Sequence, residues 1–274
     1  SAIFALYLSD ERQDTLGLKA SYDAILNQLH DVTRQRGCTV VGTTREALNE
    51  LENSSVPIFL GLEGGRLIGQ DLDRLRQLRI LGVRYLTLTH NRNTSWADSA
   101  TDFEAHHGLT KFGQRVIEMC NEIRMLVDVS HAADATIECA LEYSSQPIIA
   151  SHSGCRTLIN HPRNLPDELI IKIAKAGGMV CVPFARKFIG THAKHVADHI
   201  SHIIQLTGSS LHVGVGSDLD GAVMVEGAED VSKWKYVVPL RLADLGYADV
   251  HINNVVGKNL LGLLKANEPV PQAE

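Results

Sequence analysis

The chain has 274 residues, with 26 Lys+Arg against 32 Asp+Glu, a formal net charge of −6 and a pI near 6.1. That mild acidity leaves no basic footprint for a nucleic acid or an anionic membrane surface. Hydrophobic residues at 44% and charged ones at 21% are a globular composition, not that of a disordered or collagenous chain.

Short apolar runs rich in β-formers alternate with helical patterns along almost the whole length. A strand at residues 3–8 leads to a helix at 18–36, and a weaker strand at 39–41 leads to a helix at 45–51. Next come 57–62 with helix 71–81, then 85–89, which opens into a long irregular piece at 91–108 before helix 111–123. The remaining pairs are 125–130 with 134–143, 147–151 with 167–176, 179–183 with 196–206, and 212–217 with helices at 230–243 and 249–266. Strands that are continuously apolar belong to a parallel sheet covered by helices. Seven or eight such units predict an α/β chain with a (β/α)8, TIM-like barrel. A doubly wound nucleotide fold needs Gly-x-Gly-x-x-Gly after its first strand, which is absent here. No linker or repeat interrupts the pattern, so residues 1–266 read as one domain and 267–274 as a polar tail.

The five cysteines are odd in number and scattered, with no Cys-x-x-Cys. This predicts reduced thiols and a cytoplasmic setting, with an upstream signal peptide left open. No apolar run approaches the roughly 18 residues of a spanning helix, so no membrane segment is expected.

Histidine is the unusual component, at 13 residues. In a barrel of this kind the chemistry sits at the carboxyl ends of the strands. There the runs finish in Glu63, His90, His131, His152 and Asp218. One reading of Asp218, Ser130 and Ser151 is that they cap the helices that follow. The other is that the convergent set binds metal: two or three His plus a carboxylate is a catalytic zinc ligand set with a position left for water. Zinc lowers the pKa of that water to about 7, so the predicted chemistry is metal-assisted hydrolysis.

Other features carry less. His195, Asp198, His199 and His202 share one helical face, read as a polar outer face opposite Val196, Ile200, Ile203 and Ile204, with a surface zinc site as the alternative. His106 and His107 fall in the long irregular piece and read as solvated, with a place lining the barrel mouth as the alternative. His30, His192, His212 and His251 carry no further signal. Arg163 is either a clamp for a substrate carboxylate or a solvated loop charge. Gly64-Gly65 lacks the Lys-Ser/Thr of a phosphate loop, and the run from Asp218 to Glu229 lacks the ligands of a calcium loop.

The same segments resemble the membrane (renal) dipeptidase family of zinc hydrolases. The matching pieces are Gly61-Leu-Glu-Gly-Gly65, Gly82-Val-Arg-Tyr-Leu-Thr-Leu-Thr-His-Asn91, Gly108-Leu-Thr-Lys-Phe-Gly113 and Leu126-Val-Asp-Val-Ser-His131. They continue with Ile149-Ala-Ser-His-Ser153, Pro162-Arg-Asn-Leu-Pro-Asp167 and Gly214-Val-Gly-Ser-Asp-Leu-Asp-Gly221. The resemblance implies two zinc ions bridged by Glu63, with His131 and His152 completing one site. It gives His90 to the substrate and the tetrahedral oxyanion, Arg163 to the substrate's terminal carboxylate and Asp218 to proton transfer. It also implies dipeptide substrates, including those with a C-terminal D-residue, and a homodimer.

One departure stands out. The family's other zinc is held by a His-x-Asp pair on its first barrel strand, and no His-x-Asp occurs in this sequence. Residues 1–8 resemble the family's second strand, so the expected barrel lacks its first strand in this chain and 39–41 is peripheral. The function expected is a zinc dipeptidase. The alternatives are a barrel that has lost one metal site and binds a small ligand, or a one-metal amidohydrolase acting on other amides.

Overall fold

The computed structural model describes residues 2–35 and 37–268, so residues 269–274 of the expected polar tail lie outside the described residues. Contacts divide the chain into two compact units, one running to Gln146 and taking up the chain again from Leu264, the other spanning Pro147–Leu263.

The first unit holds five strands, β1 (Ala2–Tyr7), β2 (Cys38–Val40), β3 (Val56–Glu63), β4 (Val83–Thr87) and β5 (Leu126–Asp128), and every pairing among them is parallel. β3 is the hub. β1 pairs along it from Ala2↔Ile58 to Tyr7↔Glu63, which places Tyr7 level with Glu63 at the carboxyl ends. β4 joins from Leu60↔Val83 to Glu63↔Thr87, and β5 pairs with β4. β2 reaches only the start of β3, Cys38↔Val56 to Val40↔Ile58, off the main path as a peripheral piece. Continuous burial of Ile58, Phe59, Leu60, Leu62, Leu86 and Val127 accounts for the unbroken apolar runs.

Helices follow the strands. α1 (Asp10–Thr33) starts earlier than its apolar periodicity suggests, because Ser9 caps it by accepting from Arg12 N at 3.3 Å and Gly17 then breaks the helix with φ 74°. α2 (Thr44–Glu52) opens on a reciprocal Thr43/Glu46 capping box, and α3 (Asp73–Ile80) follows β3 after a short 3-10 turn at Gly65–Ile68. α4 (Lys111–Glu122) is capped by Thr110, and α5 (Asp134–Tyr143) matches the sequence expectation residue for residue.

The second unit holds β6 (Ile149–Ala150), β7 (Met179–Val182) and β8 (Val213–Val215), again parallel, with Ile149↔Met179 and Val180↔Val213 among the paired positions. Its helices are α6 (Asp167–Lys175), α7 (Arg186–Ile189), α8 (Ala193–Thr207), α9 (Val231–Asp244) and α10 (Asp249–Asn253). The short α7 has no sequence signal. The single helix expected at 249–266 is instead α10, a π-turn at Asn254–Lys258 that contains the non-helical Gly257, and α11 (Asn259–Ala266). Strands β5, β6 and β8 are shorter than their apolar runs, because the chain leaves the sheet before Ser130, Ser151 and Ser217. The α/β class with parallel strands is as the sequence predicts.

Candidate metal centre and its surroundings

In the first unit, Glu63 is the last residue of β3, and His131 lies three residues past the end of β5. His131 Nε2 stands 3.1 Å from Glu63 Oε1, and both side chains are largely withdrawn from solvent. The turn that delivers His131 is built by Asp128, whose buried carboxylate accepts from Thr87 Oγ1 at 2.6 Å and from Ser130 N at 3.1 Å. His131 itself has φ 68°, a left-handed conformation that a non-glycine residue adopts at a cost and that recurs at functional sites.

His90 lies three residues beyond β4, its ring centroid 4.4 Å from that of His131 and 4.8 Å from that of Tyr7. Its Nδ1 is 3.1 Å from Asp10 Oδ2. Ser99 Oγ donates to His90 O at 2.6 Å and to His131 O at 3.3 Å, so one hydroxyl ties the two histidine backbones together. Ser99 belongs to the long irregular piece, which is ordered around Asp98. That buried carboxylate accepts from the backbone N–H groups of Ala105, His106 and Gly108. His106 bonds Thr94 O through Nε2 at 3.1 Å, while the exposed His107 pairs with Glu104.

Gly65, two residues after Glu63, has a reason that needs no phosphate. A Cβ there would lie 2.6 Å from Leu88 O and from the Trp96 ring, so the close approach of these backbones admits only glycine. Tyr7 stands beside Glu63 on the neighbouring strand. Burial, with the charges of Glu63, Asp10 and Glu11 adding to it, pushes its pKa up to about 12, so the phenol keeps its proton and remains a donor. Sequence reasoning missed Tyr7, Asp10 and Ser99. Tyr7, at a strand end, had a positional signal, whereas the other two had none.

In the second unit, His152 follows β6 by two residues and is buried, its Nδ1 2.8 Å from Ser151 Oγ. Arg163 is only 6% exposed, which overturns the solvated-loop reading. Its Nη2 donates to His152 O at 3.4 Å, and its guanidinium stacks 5.4 Å above the Phe188 ring of α7. Asn164 holds this loop, accepting from Gly154 N at 3.0 Å and donating to Ile159 O and Phe188 O. Asp218 lies three residues past β8 with φ 57°. Its carboxylate occupies the space where a side chain at Gly221 would stand.

The capping alternative does not hold. Ala133 stands at the N-cap of α5, Pro166 at that of α6 and Asp230 at that of α9, so Ser130, Ser151 and Asp218 cap none of them. The polar outer face expected on α8 is also corrected. His199 is 1% exposed and accepts from Cys155 N through Nδ1 at 2.9 Å. Burial holds its pKa down at about 4. His202 pairs with Asp167 at 2.9 Å. All five cysteines are free thiols, and among the described residues no helix is long and apolar enough to cross a membrane.

Residues 1–274 match the family described as Membrane dipeptidase (Peptidase family M19). The chain is 38% identical over 217 residues to an uncharacterized dipeptidase of Schizosaccharomyces pombe, covering 77% of this chain and 53% of that protein. It is 36% identical over 236 residues to dipeptidase verJ of Clonostachys rogersoniana, covering 83% of this chain and 60% of that protein. It therefore spans little more than half the length of these curated relatives. Among solved structures it resembles a metallo peptidase from Rhodobacter sphaeroides liganded with a phosphinate mimic of the dipeptide L-Ala-D-Ala. There the TM-score is 0.85 and the identity 26%, covering 97% of this chain and 86% of that one.

Proposed function

The chain belongs to the membrane dipeptidase family, with that family's α/β, TIM-barrel class of fold, and from this premise we propose that it hydrolyses the peptide bond of dipeptides with a zinc ion held by Glu63, His131 and His152. The observation that carries the reading is the Glu63–His131 pair at 3.1 Å, a carboxylate and an imidazole delivered by strand ends. The donor set fits the ion: a partly exposed carboxylate and two buried imidazoles are borderline-hard O and N ligands of the kind zinc takes. When bound, the ion supplies Lewis-acid polarisation of the carbonyl and a more acidic water.

The chain's own residues do the rest. Arg163, already desolvated and stacked on Phe188, pairs with the substrate's terminal carboxylate through two parallel N–H···O bonds. Asp218 accepts the proton of the attacking water and returns it to the leaving amine, so no net proton is consumed. His90 donates from Nε2 to the oxygen that gains negative charge. The contact of Nδ1 with Asp10 at 3.1 Å turns the Nε2 edge of the ring towards that oxygen.

The substrate class extends, in this proposal, to dipeptides with a C-terminal D-residue, as the dipeptide mimic held by the Rhodobacter relative suggests. The test is turnover of L-Ala-D-Ala and L-Ala-L-Ala by zinc-loaded protein. His152→Ala and Asp218→Ala are expected to abolish hydrolysis with the fold intact, and Arg163→Lys to raise KM more than it lowers kcat. Near-wild-type turnover in either alanine variant, or a wild-type chain inert on both dipeptides, would sink the reading.

A further inference from the structure

Asp10 is a carboxylate that the mechanism above leaves without a task of its own. It is 4% exposed, and burying an ionised carboxyl is costly unless it is partnered. It is the first residue of α1, but the capping is done by Ser9, so the helix end does not consume its side chain. The partner it does have is His90 Nδ1 at 3.1 Å, 80 residues away in sequence. A carboxylate only accepts, so Nδ1 is the donor of this bond, and the assignment follows from the chemistry of the pair. Nε2 of the same ring has no hydrogen-bond partner among the described residues.

The ring is also held on its faces, by Tyr7 at 4.8 Å and His131 at 4.4 Å between centroids. The start of α1 is anchored in turn. Arg66, just past Glu63, bonds Asp10 O and pairs with Asp14, and Arg92, two residues past His90, pairs with Asp14 at 2.5 Å. The loops after β1, β3 and β4 are thus tied into one frame around the His90 ring.

We infer that Asp10 is a positioning residue for His90: by taking Nδ1–H it locks the imidazole in one orientation and leaves the Nε2 edge for the substrate. The inference rests on the dipeptidase reading for the identity of the substrate, but not for the hydrogen bond itself. A carboxylate that orients a functional imidazole through its far nitrogen acts by preorganisation, and a ring displaced by about 1 Å costs on the order of 100-fold in rate.

The test uses zinc-loaded full chain and three variants. Asp10→Ala and the bulkier Asp10→Leu lack the acceptor, whereas Asp10→Asn keeps a carbonyl oxygen in its place. The acceptor-less variants are expected to lose roughly 10–100-fold in kcat/KM on L-Ala-D-Ala, mostly in kcat, with zinc content unchanged and Asp10→Asn recovering most of the loss. Nitrogen-15 spectra of histidine-labelled protein provide the second readout, with the His90 signals assigned through His90→Gln. Wild-type protein should show a protonated, hydrogen-bonded Nδ1 at His90, and the acceptor-less variants that survive folding should shift it. An unprotonated Nδ1 in the wild type, or Asp10→Leu and Asp10→Ala turning over within twofold of wild type, overturns the inference. A wild type inert on dipeptides that still shows the Nδ1–H signal overturns the dipeptidase reading and leaves the positioning intact.

Discussion

His131 Nε2 and Glu63 Oε1 stand 3.1 Å apart although their strands, β5 and β3, are separated by β4. Parallel pairing brings this about: Glu63 is level with Thr87, Thr87 with Asp128, and Asp128 turns the chain so that His131 comes back over the strand ends. If this pair belongs to a zinc site, Glu63→Gln should weaken zinc binding by more than the roughly 10–100-fold typical of outer-shell changes. Competition with a chelator of known affinity measures it. Unchanged affinity would remove Glu63 from the ligand set.

The Asp218 carboxylate rests against Gly221, where any Cβ would overlap Oδ1. Asp218 already has φ 57°, so the turn has little room to yield. Gly221→Ala should therefore displace the proton-transfer group without touching the zinc ligands. The expected result is a fall in kcat of about 100-fold, the scale for a misplacement of about 1 Å, with the melting temperature and zinc content unchanged. Full turnover in this variant would argue against Asp218 as the proton carrier.

His199 makes stability depend on pH. Its folded pKa is held down at about 4 by burial, against an ordinary histidine value of about 6.5. Between those values the unfolded chain binds a proton that the folded chain refuses, so stability falls as pH drops from about 6.5 towards 4 and is fully present above 6.5. The span corresponds to about 3 kcal/mol at 1.36 kcal/mol per unit. Denaturant midpoints across this range check it: His199→Asn should flatten the slope, and an equally steep slope in the variant would assign the effect to other groups.

Arg84 is a buried cation on β4 whose guanidinium donates to carbonyls, those of Gly42, Leu264 and Asn267. Burial first, and then Arg79, hold its pKa down at about 10, so it stays charged at neutral pH. Two of its acceptors lie at the carboxyl end of α11, where the helix dipole favours a cation. Arg84→Met leaves three buried carbonyls without their donor and should cost about 3 kcal/mol. For a chain of this size that lowers the melting temperature by roughly 6–10 °C. Thermal unfolding of the variant settles it, and a shift under 2 °C would contradict the accounting.

The alternation of continuous apolar runs and helical patterns was enough to place eight strands in order, because a strand buried on both faces is apolar over most of its length. It was also enough to single out Glu63, His90, His131, His152 and Asp218, since parallel strands aim their carboxyl ends the same way and the residues just past those ends stand out as polar after an apolar run. The lengths of β5, β6 and β8 were not legible, because loops packed against a core are as apolar as the strands they extend.

What only the tertiary structure decided are pairings across long stretches of chain. Asp10 and His90 are 80 residues apart, and neither position carries a local pattern that points to the other. The burial of His199 contradicted the helical face drawn from its neighbours, because a single buried histidine with two backbone partners is indistinguishable in sequence from an exposed one. Periodicity reports which side of an element faces apolar matter. Which polar group meets which is settled by distances that exist only once the chain has folded.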